Sequence, residues 1–191
     1  MKAGNGNHFE QSYNAQAAVE VESRLVAGRR VSDAPNDKQE LVATFHAIVP
    51  AAGAVGEVLI DSGFVSEEAV NKVEKDEAGN PTGTLVRAAM KRDKHGRSVQ
   101  DLEKMQDPLP PSADASFAGR MAHRVATKAG RERYKLRQQT VEPVFGIIKE
   151  AIGFGRFSLR GLAKVSLEWT LVTLAYNLKR PFIIGAQLKA A

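Results

Sequence analysis

The segment GLAKVSLEWTLVTLAYNLK, Gly161–Lys179, is apolar nearly all round, through Leu162, Val165, Leu167, Trp169, Leu171, Val172, Leu174 and Leu178. A helix of that kind belongs in the interior of a folded domain. Its longest apolar run, Leu167–Leu178, is interrupted by Glu168, Thr170, Thr173 and Asn177, so it is too short and too polar to span a bilayer. The 191 residues are enough for one domain with a real core, or one domain with appendages.

The rest of the chain reads as strands and helices around that segment. Residues 1–9 are Gly- and Asn-rich and are expected to be disordered; MKAGNGNHFEQS lacks the apolar core of a signal peptide. YNAQAAVEV, Tyr13–Val21, reads as a strand, and RLVAGRRV, Arg24–Val31, as a second strand antiparallel to it. After the turn cluster SDAPNDKQE, Asn36 or Asp37 is placed to cap a helix over about Lys38–Val49, with Leu41, Val42, Phe45 and Ile48 or Val49 on one face. EVLIDSGF predicts a strand buried on both faces at Val58, Leu59 and Ile60, ending at Asp61. SEEAVNKVEKDEAG predicts a helix capped by Ser66, with Glu67 and Glu68 in its first turn and Gly79 near its stop. Residues 80–116 read as a poorly ordered insertion or linker, with one strand around Thr84–Met90 and the proline-rich QDPLPPSADAS. Helices follow from Phe117 to about Gly130, from Glu132, and from Pro143 to Ile152, the last ended by Gly153 and Gly155; residues 181–191 form a tail. Strand, strand, helix, strand and then helices is an α/β layer pattern.

The net charge of +5 and a pI near 9.5 favour an anionic partner, most commonly nucleic acid. With no cysteine there is no disulfide framework and no cysteine zinc site, which fits a cytoplasmic protein. His8, His46, His95 and His123 stand in no metal-ligand spacing, and phosphate-binding glycine loops and a nucleophile-elbow motif are absent. Arg120, Arg124, Lys128, Arg131 and Lys135 fall at steps of 4, 4, 3 and 4, one helix face if the helix continues through Gly130, with Arg133 and Arg137 beside them. Such a face suits a phosphate backbone; it is equally a common solvated surface. Asp61 at the end of an apolar strand sits where open α/β sheets place ligands, or is a turn aspartate bonded to backbone amides. Glu142 and Lys149 are 149 − 142 = 7 residues apart, two turns of a continuous helix. Pro143 suits a first helical turn, which would set Glu142 at a helix start or kink; a glutamate merely favourable at a helix N-terminus reads the same way.

The ordered blocks YNAQAAVEV, PNDKQEL, LIDSGFVSEEAV, RERYKLRQQTVEPVFGIIKE and RFSLRGLAKVSLEWTLVTLAYNLKR resemble the C-terminal catalytic portion of bacterial insertion-sequence transposases of the DDE type, over roughly Phe9–Arg180. The resemblance implies an RNase H-like fold, a mixed sheet flanked by helices, spanning residues 10–180 here. It implies carboxylates that bind divalent metal, Mg²⁺ or Mn²⁺, for DNA strand cleavage and transfer by in-line displacement. On this resemblance Asp61 and Glu142 are catalytic metal ligands and Tyr134, Arg137 and Lys149 support them. Arg120, Arg124, Lys128, Arg131, Arg133 and Lys135 would hold DNA. Four residues separate Arg137 from Glu142 where the family pattern has three. The family's first aspartate lies upstream of the YNAQ segment, and none of the twelve residues before Tyr13 is an aspartate. The expectation is therefore a truncated transposase with impaired catalysis, cytoplasmic and on the nucleoid, as a homodimer or paired with a full-length transposase. The alternative is a non-catalytic DNA-binding or regulatory remnant acting through the basic helical face.

Overall fold

A computed structural model of the chain describes residues 2–3, 9–10, 12–90 and 107–190. These are mixed α/β, and their strands form three separate two-stranded sheets. The first is the short antiparallel pair β1 (Lys2–Ala3) and β2 (Phe9–Glu10). Residues 1, 4–8 and 91–106, on which parts of the expected disordered start and of the expected linker fall, lie outside the described residues. The chain divides into two compact units, Met1–Ala54 with Gln138–Ala191, and Val55–Arg137.

In the first unit, β3 (Asn14–Val19) and β4 (Val26–Ser32) form the expected antiparallel hairpin, from Asn14 opposite Ser32 to Val19 opposite Val26. The connecting turn closes on Glu20, whose carboxylate accepts from the backbone N–H of Glu22 and Ser23. Helix α1 (Glu40–His46) is shorter than expected and has no side-chain cap. Asp37, one of the two residues expected to cap it, is engaged elsewhere: its Oδ1 accepts from Asn14 Nδ2 at 2.7 Å and Gln16 Nε2 at 2.9 Å, tying the loop to β3. The other, Asn36, accepts from the Lys38 N–H before the helix begins. β4 crosses the chain after α1 so closely that a Cβ on Gly28 would lie 2.9 Å from the Ile48 nitrogen.

The long helix α5 (Leu162–Ala190) closes this unit, running on through Pro181. Val165, Trp169, Thr173 and Tyr176, at helical spacing, are buried, and Val165, Trp169 and Tyr176 join Val26, Val31, Val144 and Ile148 in one core. Trp169 Nε1 donates to the Gln16 carbonyl at 2.9 Å, Tyr176 Oη to the Arg24 carbonyl at 3.0 Å, and the Asn177 amide pairs with both backbone groups of Val26. The all-round burial expected of this helix does not occur. Leu167, Leu171, Leu174 and Leu178 form a second stripe that is 51–62% exposed.

In the second unit, β5 (Glu57–Ile60) pairs in parallel with β6 (Leu85–Ala88), from Glu57 opposite Leu85 to Ile60 opposite Ala88. β5 is less buried than its apolar run implied: Ile60 is buried, while Val58 and Leu59 are half-buried. With one strand neighbour and short helices, the sheet cannot cover both faces. Helix α2 (Glu67–Glu74) is capped as expected, Ser66 Oγ accepting from the Ala69 N–H at 3.2 Å, and α3 (Phe117–Ala126) is capped by Ser116 in the same way. Ala69, Val70, Val73, Val86, Ala88 and Met121 are buried apolar side chains of these elements.

Helix α4 (Lys128–Gly146) begins right after α3, the two separated by an extended Thr127 rather than by Gly130. Gly130 lies inside α4 because its first turn packs on the end of α3. A Cβ there would collide with the Arg124 carbonyl oxygen, and the Gly130 N–H is taken by Thr127 Oγ1 at 3.0 Å. α4 passes directly into a π-helical turn, Ile147–Ala151.

Candidate functional site

In the Val55–Arg137 unit, Asp61 directly follows β5 and is exposed. It caps the short turn Ser62–Phe64, its Oδ1 accepting from the Ser62 N–H at 2.9 Å. That is turn-aspartate geometry, and it occupies one carboxylate oxygen. Tyr134, on α4, donates its hydroxyl to the Ile60 carbonyl at 3.1 Å, so α4 is fastened to the end of β5 one residue before Asp61. The Arg137 guanidinium lies 5.7 Å from the Tyr134 ring centroid, a cation–π distance, and its buried Nε has no hydrogen-bond partner among the described residues.

Most of the expected cationic face is engaged inside this unit. Arg124 forks onto Glu74, with Nη2 to Oε2 at 3.1 Å, and also donates to the Val86 carbonyl at 2.8 Å. Glu74 in turn accepts from the Val86 N–H at 2.8 Å. Arg133 and Arg87 both bind Glu57, at 2.7 and 2.5 Å, and Arg87 reaches on to the Arg124 carbonyl at 2.6 Å. Burial pushes the Glu57 carboxyl up, but the hydrogen bonds and charges of Arg87 and Arg133 outweigh it, and its pKa lies below the usual carboxylate range. Arg131 donates to the Ala126 carbonyl, and Arg120 to the Ala115 carbonyl with Glu67 at 3.7 Å. Lys128 and Lys135 are exposed, and their ammonium groups have no ion-pair partner among the described residues. The α3–α4 break also means that Arg120 and Arg124 stand on a different helix from Lys128, Arg131 and Lys135. The sequence showed these cations by spacing; it held no signal for their partners Glu57, Glu74 and Arg87, which come from other elements.

In the unit of Met1–Ala54 and Gln138–Ala191, Glu142 is exposed on α4. Thr140, Val144 and Ile148, four residues apart, form the buried side of that segment, which leaves Glu142 facing outward. The expected helix start at Pro143 is not there. α4 began at Lys128, and Pro143 is an interior proline that removes the bond to the Gln139 carbonyl. Lys149 is exposed within the π turn. The i→i+5 pattern of that turn carries about one residue more per turn, so the seven-residue spacing to Glu142 no longer equals two whole turns.

Among the described residues, no group of three or more His, Asp or Glu side chains is placed to hold a metal ion. The described carboxylates therefore do not by themselves make the metal site that the resemblance implies. No helix among the described residues is long and apolar enough to cross a membrane.

Searches of curated proteins and of solved structures return no match to the chain. Residues 88–182 match the family model described as transposase DDE domain. The matched span contains Tyr134, Arg137, Glu142 and Lys149 and every residue of the cationic segment; Asp61 lies before it. Through residues 88–182, the chain belongs to the transposase DDE-domain family.

Proposed function

We propose that this protein acts on DNA as a DDE-type transposase domain of impaired strand cleavage and transfer, with Asp61 and Glu142 as its acidic residues. The observation that carries the reading is the family match over the span holding Tyr134, Arg137, Glu142 and Lys149 in order. The Tyr134–Ile60 hydrogen bond, within the Val55–Arg137 unit, supports including Asp61, since it fastens Tyr134 to the end of the strand before it. The finer expectation, an RNase H-like fold, is part of this proposal. DDE enzymes generally use a divalent metal, and Mg²⁺ or Mn²⁺ held by oxygen ligands suits phosphoryl transfer. The described residues do not assemble a full ligand set for such an ion.

Cleavage of a labelled duplex in Mg²⁺ or Mn²⁺ tests the proposal. The wild type is expected to nick the duplex slowly, and Asp61→Asn and Glu142→Gln to bind it equally well without nicking it. Nicking by both variants at the wild-type rate would overturn the roles given to these two residues. The second reading, a non-catalytic DNA binder, is favoured by one observation: the exposed cations Lys128 and Lys135 need no metal. Salt-sensitive binding with no cleavage by any form would favour it.

A further inference from the structure

The connection between the π turn and α5, residues 152–161, has two sides. Its inner side is pinned. Phe154 and Phe157 meet edge to face at 5.2 Å between ring centroids and pack on Trp169 at 6.1 and 6.4 Å; Phe157 also meets Tyr13 at 6.0 Å. The Glu168 carboxylate accepts from the backbone N–H of Ser158 at 2.9 Å and Leu159 at 3.1 Å, and the Gly161 N–H donates to Tyr13 Oη at 2.9 Å. Gly153 and Gly161 supply the left-handed turns at either end, with φ of 76° and 89°.

The outer side is cationic. Arg156 and Arg160 alternate with the anchoring phenylalanines and are exposed, as are Lys149 and Lys164 on the flanking helical segments. None of the four has an ion-pair partner among the described residues. Over residues 149–168 they face two acids, Glu150 and Glu168, a balance of 4 − 2 = +2, and the carboxylate of Glu168 is turned to the loop's own backbone.

We propose that this loop is a contact surface for the phosphate backbone of duplex DNA, with Arg156 and Arg160 as the contacting groups. The inference rests on the DNA reading above and adds a second surface, in the other unit from Lys128 and Lys135. Arginine forks match phosphate oxygens in geometry. A loop already held by an aromatic cluster loses little freedom when it binds, which favours affinity.

The test is fluorescence anisotropy of a labelled duplex of arbitrary sequence, titrated with protein at several salt concentrations. Two lost phosphate contacts should reduce the slope of log K against log salt by about 1.8, roughly 0.9 for each contact. That loss is expected for Arg156→Ala with Arg160→Ala, and again for Arg156→Gln with Arg160→Gln. The charge-preserving Arg156→Lys with Arg160→Lys should stay near wild type. If the neutral variants keep the wild-type slope while Lys128→Ala with Lys135→Ala loses it, the loop is not a DNA contact and the DNA reading stands. If the wild type binds no duplex, both fall.

Discussion

In the unit of Met1–Ala54 and Gln138–Ala191, an indole sits at the centre: Trp169 is 2% exposed among Phe145, Phe154 and Phe157. In the unit of Val55–Arg137 the buried apolar side chains are mostly small, Ala69, Val70, Val73, Val86 and Ala88 beside Ile60 and Met121. A chain of hydrogen bonds, Arg133–Glu57–Arg87–Arg124–Glu74, with the Arg87–Arg124 link made to the Arg124 carbonyl, joins α4, β5, β6, α3 and α2. The core of the first unit relies on apolar burial, which does not itself need a charged carboxylate, while the buried Glu40 is paired with Arg30 at 3.0 Å outside that core. The second relies on directional pairs that are costly to break singly. A basic composition is therefore not a surface property: in the second unit several cations hold the fold, while Arg156 and Arg160 in the first are exposed.

The largest effect should come from Trp169→Ala, a loss of about 3–5 kcal/mol in urea unfolding, from the cavity and the orphaned Gln16 carbonyl. Hydrogen exchange should show β3 and β4 losing protection first; equal loss in β5 and β6 would break the contrast between the units.

Glu57→Gln should come next, about 3 kcal/mol at neutral pH, because it leaves Arg87 and Arg133 facing a neutral amide. The sign with pH follows from the lowered Glu57 pKa. Its contribution is full above the ordinary carboxylate pKa and is lost as pH falls through the lower folded-state value. Unfolding curves of wild type and variant should therefore converge in acid; a constant gap would show that the pair does not govern this unit's acid response.

The smallest effect is expected at the exposed stripe of α5. Leu171→Ser should change stability by no more than about 0.5 kcal/mol, against several times that for a buried residue of the same helix. A larger loss would mean that the stripe is covered.

The elements that local patterning controls were legible in the sequence. The β3–β4 hairpin followed from alternation and the Ser66 cap from its position before a helical run. β6 followed from a short apolar run inside an otherwise unreadable segment. What failed depended on partners distant in sequence. An apolar helix could not reveal that only one of its faces meets a hairpin, nor Gly130 that it permits a close crossing instead of stopping a helix. Pro143 resembled a helix start because proline is cheapest there, yet α4 runs through it. At the site, Tyr134 was legible as a residue type, but its hydrogen bond to Ile60 was not.

The most direct test of the central claim is a double-variant cycle on DNA cleavage with Asp61→Asn, Glu142→Gln and the pair together. Residues that act as one catalytic unit are strongly non-additive. The account predicts that either single variant abolishes metal-dependent cleavage, with DNA binding intact, and that the pair is no worse. Losses that multiply, or an Asp61 variant that still cleaves, would contradict it.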